Sequence, residues 1–410
     1  MPDNDSTPNR GSHHVIGGQF MSKNPSVSHP APRLRLATAE DATGISVLYQ
    51  LIYGGNYTNR LMRDTAMLKS FLENPANVWV VAEANGQIVG SVVYECDVAH
   101  RLSRAFGGAV LPAFRGHQIL ERAMVFAQEH LTNTLGSVDV IYATTRTSTP
   151  APQIVTEHLG YKKLGVFPNV HKTDVYETHC LTAFFTTEAL WDRHQDFRLH
   201  PSILNLYEIV RTECTLARLS PATEADLALD VYPDKIQLEL IQAERFARHR
   251  FEAQRDQELL QAHFYPFHSP NIVICSPCQT VEMFVYKAET DNHCTIMGVK
   301  KPRSYDFTDI LEQCVKLLND LGVRYIEILV RADKVKTLER VLRARFLPCA
   351  YFPAFQLMDG KRYDFVVLSR TFEILDFKYL KLAGKNRIFL DEFVRNIQEH
   401  FLSPGQGVES

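Results

Sequence analysis

The spacing of apolar and polar residues along the chain predicts strands interleaved with amphipathic helices. Apolar residues alternate with polar ones over residues 33–38 and then recur at helical spacing up to Leu51. Two β-rich runs flank Asn85-Gly86, a dipeptide typical of tight hairpin turns. Followed to residue 186, the pattern predicts the order β, α, α, β, β, β, α, β, α, β, β. Such a mixed α/β sheet binds ligands at the carboxyl ends of its central strands, where helices begin.

The second half of the sequence repeats landmarks of the first half in the same order, which predicts a tandem duplication. The matching segments are QILERAM (118–124) with DILEQCV (309–315), GYKKLGVFP (160–168) with RFLPCAYFP (345–353), and VYETHCL (175–181) with RYDFVVL (362–368). The predicted organisation is a disordered tail (1–32), a first domain (33–186), a linker (187–215), a second domain (216–375) and a C-terminal helical extension (376–410). Within the second domain, the charged run 238–264 is predicted to be one long helix.

Composition narrows the classes of function. The chain has 410 residues and a formal net charge of −3, so no basic field indicates a nucleic acid or membrane partner. No apolar run approaches the roughly 18 residues of a membrane span, and no signal peptide is visible, so we expect a cytoplasmic protein. Eight cysteines are too few for a disulfide scaffold. Cys275 and Cys278 form a CxxC pair, which is compatible with zinc or with ordinary core packing; we predict no metal.

The stretch VLPAFRGHQILERAM, residues 110–124, predicts an anion site. It reads as a strand end, a short loop and the start of a helix, whose first backbone N–H groups lack intrahelical partners and attract negative charge. The candidate binding residues are Val110, Leu111, Arg115, Gly116, His117, Gln118, Ile119 and Leu120.

This stretch and the element order around it resemble the GNAT superfamily of acyl-CoA-dependent N-acyltransferases, well over 33–186 and more weakly over 216–375. Arg115 stands at the first position of the family signature. Gln118 replaces a signature glycine, which would permit a positive φ and a close approach of phosphate, and Leu120 replaces the final glycine or alanine. The resemblance implies two tandem GNAT-like domains with a degenerate second copy. It also implies acetyl-CoA or another acyl-CoA as the donor, bound along the split between the fourth and fifth strands.

The resemblance further implies direct attack by an amine on the thioester, assisted by a carboxylate on the third or fourth strand. Glu95 and Asp97 are two residues apart and therefore lie on one face of the third strand. They are candidate bases, with Glu95 preferred, and His100 is a further candidate. The family's usual tyrosine acid is replaced by Thr156, which leaves Ser148, Tyr161 or water as the candidate proton donor.

The predicted function is N-acyltransfer, most simply N-acetyltransfer, to a small-molecule or amino-acid-like amine, by a monomer or homodimer. The alternative is a non-catalytic acyl-CoA-binding or regulatory protein. The second copy has no glycine in the equivalent loop, and Asp306 and Asp309 would repel a pyrophosphate. We therefore expect that copy not to bind coenzyme A.

Overall fold

The computed structural model describes residues 31–55, 57, 59–172, 175–232, 235–257, 259–261, 264–289 and 291–402. In these residues fourteen strands form one continuous sheet, flanked by helices. The predicted mixed and mostly antiparallel sheet is therefore confirmed. The predicted disordered tail, 1–32, lies almost wholly outside the described residues. No helix among those that are described is long and apolar enough to cross a membrane.

The first half of the chain has the predicted order of elements. Its strands are β1 (Arg33–Leu36), β2 (Val78–Ala84), β3 (Gln87–Asp97), β4 (Leu102–Val110), β5 (Val140–Arg146), β6 (Lys162–Lys172) and β7 (Tyr176–Phe185). Its helices are α1 (Ala42–Tyr53), α2 (Thr65–Glu73), α3 (Ile119–Glu129) and α4 (Ala151–His158).

The predicted hairpin turn fixes how β3 meets its neighbours. Asn85 and Gly86 have φ values of 52° and 75°, and two consecutive positive φ values are what a type I′ turn requires. The pairing of β2 with β3 ends at Val78 and Tyr94, so β3 continues past β2 and pairs there with β4 alone. The end of β3, which carries the candidate bases, therefore lies beside the start of β4.

The second half follows three connecting helices and contains seven more strands. The connecting helices are α5 (Thr187–Trp191), α6 (Leu204–Cys214) and α7 (Glu224–Leu227). The remaining elements are β8 (Glu239–Gln242), α8 (Glu244–Asp256), β9 (Ile272–Cys275), β10 (Glu282–Lys287), β11 (His293–Lys300), α9 (Phe307–Asp320), β12 (Tyr325–Arg331), α10 (Val335–Arg343), β13 (Leu347–Met358), β14 (Lys361–Thr371) and α11 (Asn386–Ile397).

The prediction of one long helix over 238–264 is wrong at both ends. Residues Glu239–Gln242 form β8, which pairs with β9 at the edge of the sheet, and of the residues of this run that the structure describes only Glu244–Asp256 is helical. The pairing with β9 satisfies the backbone of this segment, and such tertiary pairing routinely overrides local helix propensity.

The order of strands is the same when it is read inward from either edge of the sheet. The order is β1-β2-β3-β4-β5-β7-β6 and then β13-β14-β12-β11-β10-β9-β8. Each half contains one parallel pair, β4 with β5 and β11 with β12. The halves join where Gly165 of β6 pairs with Ala350 of β13. A Cβ atom at Gly165 would lie 2.3 Å from the Cβ of Ala350, so only glycine allows this approach.

The largest core lies around this junction and includes buried side chains from both halves. It is formed by apolar residues of β6, β7, β12, β13 and β14 together with α6. Polar contacts also cross between the halves. Arg362 donates to Asp139 at 2.6 Å, and His171 lies 2.9 Å from Asp291. The two halves therefore share one interior.

Candidate active site

The parallel strands β4 and β5 separate partway along their length. Their pairing runs from Leu102–Val140 to Ala105–Ala143 and stops there, although both strands continue. A bulge in β4 accompanies the separation, because three steps along β4 oppose two along β3 near Gly107. Gly107 has a φ of 64°, and its carbonyl accepts a hydrogen bond from the Tyr49 hydroxyl. We call this separation the first fork.

A cavity of about 330 Å³ lies at the first fork and extends to the second half of the chain. We call it the central cavity. From the first half it is lined by Tyr57, Asn59 and residues of β4, β5, β6 and β7. From the second half it is lined by His293 of β11, residues of β12, β13 and β14, and the segment 265–268. Because both halves form its wall, a molecule bound there would contact both.

The structure places Glu95 next to this cavity, in an ion pair with a residue that lines it. Glu95 stands directly opposite Arg104 in the β3–β4 ladder, and their carboxylate and guanidinium groups are 2.6 Å apart. The second Arg104 amino group is 3.4 Å from His268. The guanidinium also lies near the rings of Phe106 and Phe267. Arg104 is therefore held at the cavity wall, while its partner Glu95 lies behind it.

Asp97 and Ser148 occupy other surroundings. Asp97 accepts hydrogen bonds from the backbone and the ring of His100, at 3.1 and 2.8 Å. Burial alone would raise the pKa of Asp97, but the bonds from His100 bring it below its usual value. Ser148 lines a different cavity, of about 270 Å³, beside Tyr176 and Tyr379. The structure therefore does not bring Ser148 together with Glu95 and Asp97 in one cavity.

The hydroxyl of Thr156, the residue predicted to replace the family's tyrosine acid, is directed into its own helix. It donates to the carbonyls of Pro152 and Gln153 at 3.1 and 3.0 Å. The Gln153 side chain in turn binds the backbone of the C-terminal segment at Lys381 and Ala383. The start of α4 thus anchors the predicted C-terminal extension.

The predicted anion-binding loop is exposed. At Gln118 its backbone has the left-handed conformation that a glycine would adopt readily. Arg115, Gly116, His117 and Gln118 are all exposed. Gln118 caps α3 with φ 54° and ψ 23°, in the left-handed region. Leu120 packs over Gly108, where a Cβ atom would come within 3.1 Å of it, so its side chain faces β4. Val110 and Leu111 are partly buried and Ile119 is buried beneath the loop.

Replacing Gln118 with glycine should stabilise the protein by about 0.5–1 kcal/mol. A left-handed residue other than glycine is strained, and the relief exceeds the entropy that glycine adds to the unfolded chain. The measurement is the free energy of unfolding in urea. Arg122→Gly, at an exposed position inside α3, is the control and should cost about 1 kcal/mol. A loss of stability at both positions would show that the Gln118 side chain makes favourable contacts.

The second half contains an equivalent fork. The sequence predicted a negatively charged surrounding there, from Asp306 and Asp309, but the cavity at this fork is lined by cationic side chains. The pairing of β11 with β12 ends at Ile296–Ile328, and a cavity of about 430 Å³ lies beyond it. Five cationic side chains line this cavity: Lys301, Arg331, Lys334, Lys336 and Arg340. Asp306 caps the start of α9 and lies 3.7 Å from Arg340. Its negative charge is thus opposed by cations that the loop sequence alone did not reveal.

A buried glutamate on β12 was missed by sequence reasoning. The Glu327 side chain lines the central cavity and accepts hydrogen bonds from Tyr265 at 3.0 Å and Tyr325 at 3.3 Å. Burial raises the pKa of Glu327 to about 7, against the opposing effect of the two tyrosine hydroxyls. A carboxyl group with a pKa near neutrality can exchange a proton in either direction at physiological pH. The available signal was one acidic residue within the apolar run YIEILV.

The part of the chain that the structure describes contains no evident metal-binding site. No cluster of three or more histidine, cysteine, aspartate or glutamate side chains has an arrangement that could hold a metal ion there. Of the CxxC pair, Cys275 is buried in β9 and Cys278 is exposed.

No protein-family model and no curated protein sequence matches the chain. Among solved structures, it is similar to a GNAT-family acetyltransferase from Streptococcus pneumoniae, at 16% identity and a TM-score of 0.34, over 38% of this chain and 98% of that one. It is also similar to a ribosomal-protein-alanine N-acetyltransferase from Brucella melitensis, at 20% identity and a TM-score of 0.33, over 38% and 99%. A putative acetyltransferase from Salmonella typhimurium, solved with its cofactor acetyl-CoA, gives 15% identity and a TM-score of 0.34, over 38% and 94%. GNAT acetyltransferases are thus among the structures that part of this chain resembles, as the sequence predicted.

Proposed function

We propose that the protein is an acyl-CoA-dependent N-acyltransferase, most simply an N-acetyltransferase, acting on a small amine. The observation that carries the proposal is the first fork, where β4 and β5 separate over a cavity formed by both halves. A thioester that entered between the strands would meet an acceptor held in the central cavity. This is the arrangement that the resemblance to the GNAT superfamily implies.

The exposed loop at the start of α3 supports the placement of the donor. The first backbone N–H groups of α3 and the positive end of its dipole favour an anion. Arg115 adds a cation on the same loop, and the left-handed Gln118 provides the turn that a phosphate-binding loop needs. In this proposal, residues 110–120 hold the pyrophosphate of the acyl-CoA donor.

We also propose that the chain consists of two copies of one fold, 33–186 and 216–375, joined by 187–215 and followed by the extension 376–410. The support is the strand order, which is the same from both edges of the sheet, and the two forks. In this arrangement the second copy completes the acceptor cavity, as the residues of β12, β13 and β14 that line it indicate.

Acetyl-CoA should raise the melting temperature, and the Glu95→Gln variant should retain that shift while its turnover falls, because Arg104 at the cavity wall loses its counterion. A small displacement of a group at a reaction site costs about 100-fold in rate. A ligand at 100 times its Kd adds about 2.7 kcal/mol of stability. Thermal melts measure binding, and release of free thiol with a panel of amines measures turnover. Glu312→Gln is the control, because Glu312 lies on α9, pairs with Arg370 of β14 and does not line the central cavity.

The outcomes separate the proposal from its alternative. A melting shift without thiol release for any amine would favour a non-catalytic acyl-CoA-binding protein, a role with which the engaged hydroxyl of Thr156 is consistent. The absence of any shift with acyl-CoA would contradict both functions. Full activity in Glu95→Gln would contradict the role predicted for Glu95 but not the proposed function.

A further inference from the structure

Glu327 is the one acidic side chain among the described residues that line the central cavity. We propose that Glu327 binds the ammonium form of the acceptor and takes its proton, and that the acceptor is a primary amine on an apolar or aromatic body. The binding step stands on the cavity itself, whereas the transfer step rests on the function proposed above. In this assignment the second half of the chain supplies the base for a donor held by the first.

The other ionisable groups of the cavity leave the charge of Glu327 unmatched. The Arg104 guanidinium is paired with Glu95 outside the lining. Burial lowers the pKa of His268 to about 3 and that of His293 to about 4, and it also lowers the pKa of His179, so these imidazoles are neutral at pH 7.

His268 has a hydrogen-bonding arrangement that fits the neutral ring. Its Nδ1 lies 3.0 Å from the carbonyl oxygen of Pro266, which assigns the proton to Nδ1. Its Nε2 then accepts from Arg104 at 3.4 Å. The cavity therefore needs one further positive charge when Glu327 is ionised.

The groups that face Glu327 from the surrounding elements are themselves neutral at pH 7. They are Tyr325 on β12, Tyr265 on the connecting segment, Tyr142 on β5 and Cys349 on β13. Burial raises the pKa of every one of them. None of the described cationic side chains forms an ion pair with Glu327, so an ammonium group is the complement that the site lacks.

The remaining wall is aromatic and aliphatic, which sets the class of the amine. Tyr142 lies against Phe352 and Phe355, with ring centroids 5.6 and 5.8 Å away. Leu329 and Val367 add aliphatic surface. Aromatic faces attract cations and cover apolar carbon, so an amine with a hydrophobic body fits better than a polar one. A volume of about 330 Å³ limits the acceptor to a small molecule.

The transfer step balances with Glu327 as the first proton acceptor. The ammonium group gives one proton to the carboxylate, and the freed nitrogen lone pair attacks the thioester carbonyl carbon. A C–N bond forms, the C–S bond breaks, and the second nitrogen proton passes to the departing thiolate. The products are an amide and the coenzyme A thiol, and Glu327 releases its proton to solvent. Glu95 then serves to position Arg104 and does not remove the proton.

Binding of the amine alone tests the assignment without any donor. Calorimetry at pH 8 compares 2-phenylethylamine with 2-phenylethanol, a neutral molecule of similar shape. We expect the wild type to prefer the amine, and Glu327→Gln to bind it at least 10-fold more weakly, with Glu312→Gln unchanged. The proposal is overturned if the wild type does not prefer the amine or if Glu327→Gln binds it equally well.

The pH profile of turnover distinguishes a base from a binding group. The kcat/KM of the wild type should rise with pH through about 7, and this rise should persist in Glu95→Gln but disappear in Glu327→Gln. A rise that disappears in Glu95→Gln instead would make Glu95 the base. Amine binding that depends on Glu327, together with no response to any acyl-CoA, would refute the proposed function and leave the amine site standing.

Discussion

Replacing Asp364 with asparagine should lower the free energy of unfolding by about 3–5 kcal/mol. The Asp364 carboxylate is fully buried and accepts a bond from Arg193 Nε at 2.9 Å, a second one from the Arg193 amino group, and others from Tyr351 and the Ala354 amide. Burial would lower the pKa of Arg193, but Asp364 raises it, so Arg193 stays charged. Asparagine would leave that buried charge without its counterion. Urea unfolding measures the loss.

Two further variants show whether charge is the cause. Asp391→Asn breaks an exposed pair with Arg387 on α11 and should cost less than 1 kcal/mol. The double change Arg193→Met with Asp364→Asn removes both charges while the asparagine amide can still bond to Tyr351 and to the Ala354 amide, so it should recover most of the loss. Equal costs for Asp364→Asn and Asp391→Asn would contradict the argument. Because Arg193 follows the first half and Asp364 lies in β14, the pair also ties the connecting segment to the second half.

The parts of the fold that the sequence predicted are those fixed by neighbouring residues. The β2–β3 turn follows from Asn85-Gly86, since both residues must adopt positive φ there. The strands and helices of the first half follow from apolar periodicity. The run 238–264 failed as a single helix because β8 forms only when β9 is beside it.

The same distinction between local and distant contacts applies to the candidate site. The loop 115–118 could be predicted, because a loop before a helix is a local feature. Glu327 and Tyr265 could not, since their contact joins residues that are 62 positions apart. The charge of the second fork was misjudged for the same reason. Asp306 is visible in its loop, whereas Lys334 caps α10, and Lys336 and Arg340 lie within it.

Glu327→Gln should be more stable than the wild type at pH 8, by about 2.5 kcal/mol more than at pH 5, because a small part of the full loss already occurs below pH 5. The pKa of Glu327 is about 7 in the folded protein and 4.5 ordinarily. The folded state therefore holds the proton more tightly, and the wild type loses stability as pH rises from about 4.5 through 7. At about 1.36 kcal/mol per pH unit the full loss is about 3 kcal/mol. Glutamine does not ionise, so the variant escapes this loss. Urea unfolding of both proteins at the two pH values measures the difference.

Glu282→Gln is the control, for which we expect the opposite change in stability at pH 8. Glu282 is also buried, but it pairs with Arg250 at 2.7 Å and Lys300 at 3.1 Å. Burial would raise the pKa of Glu282, yet these cations lower it, so its contribution to stability is present at pH 8 and is lost as pH falls through the lowered pKa. Glu282→Gln should therefore destabilise at pH 8. A carboxyl group kept at Glu327 despite its cost fits a functional site, where stability is commonly given up for activity. If Glu327→Gln were instead less stable at pH 8, the carboxylate would already have a favourable partner in the empty cavity, and no ammonium ligand would be needed to match its charge.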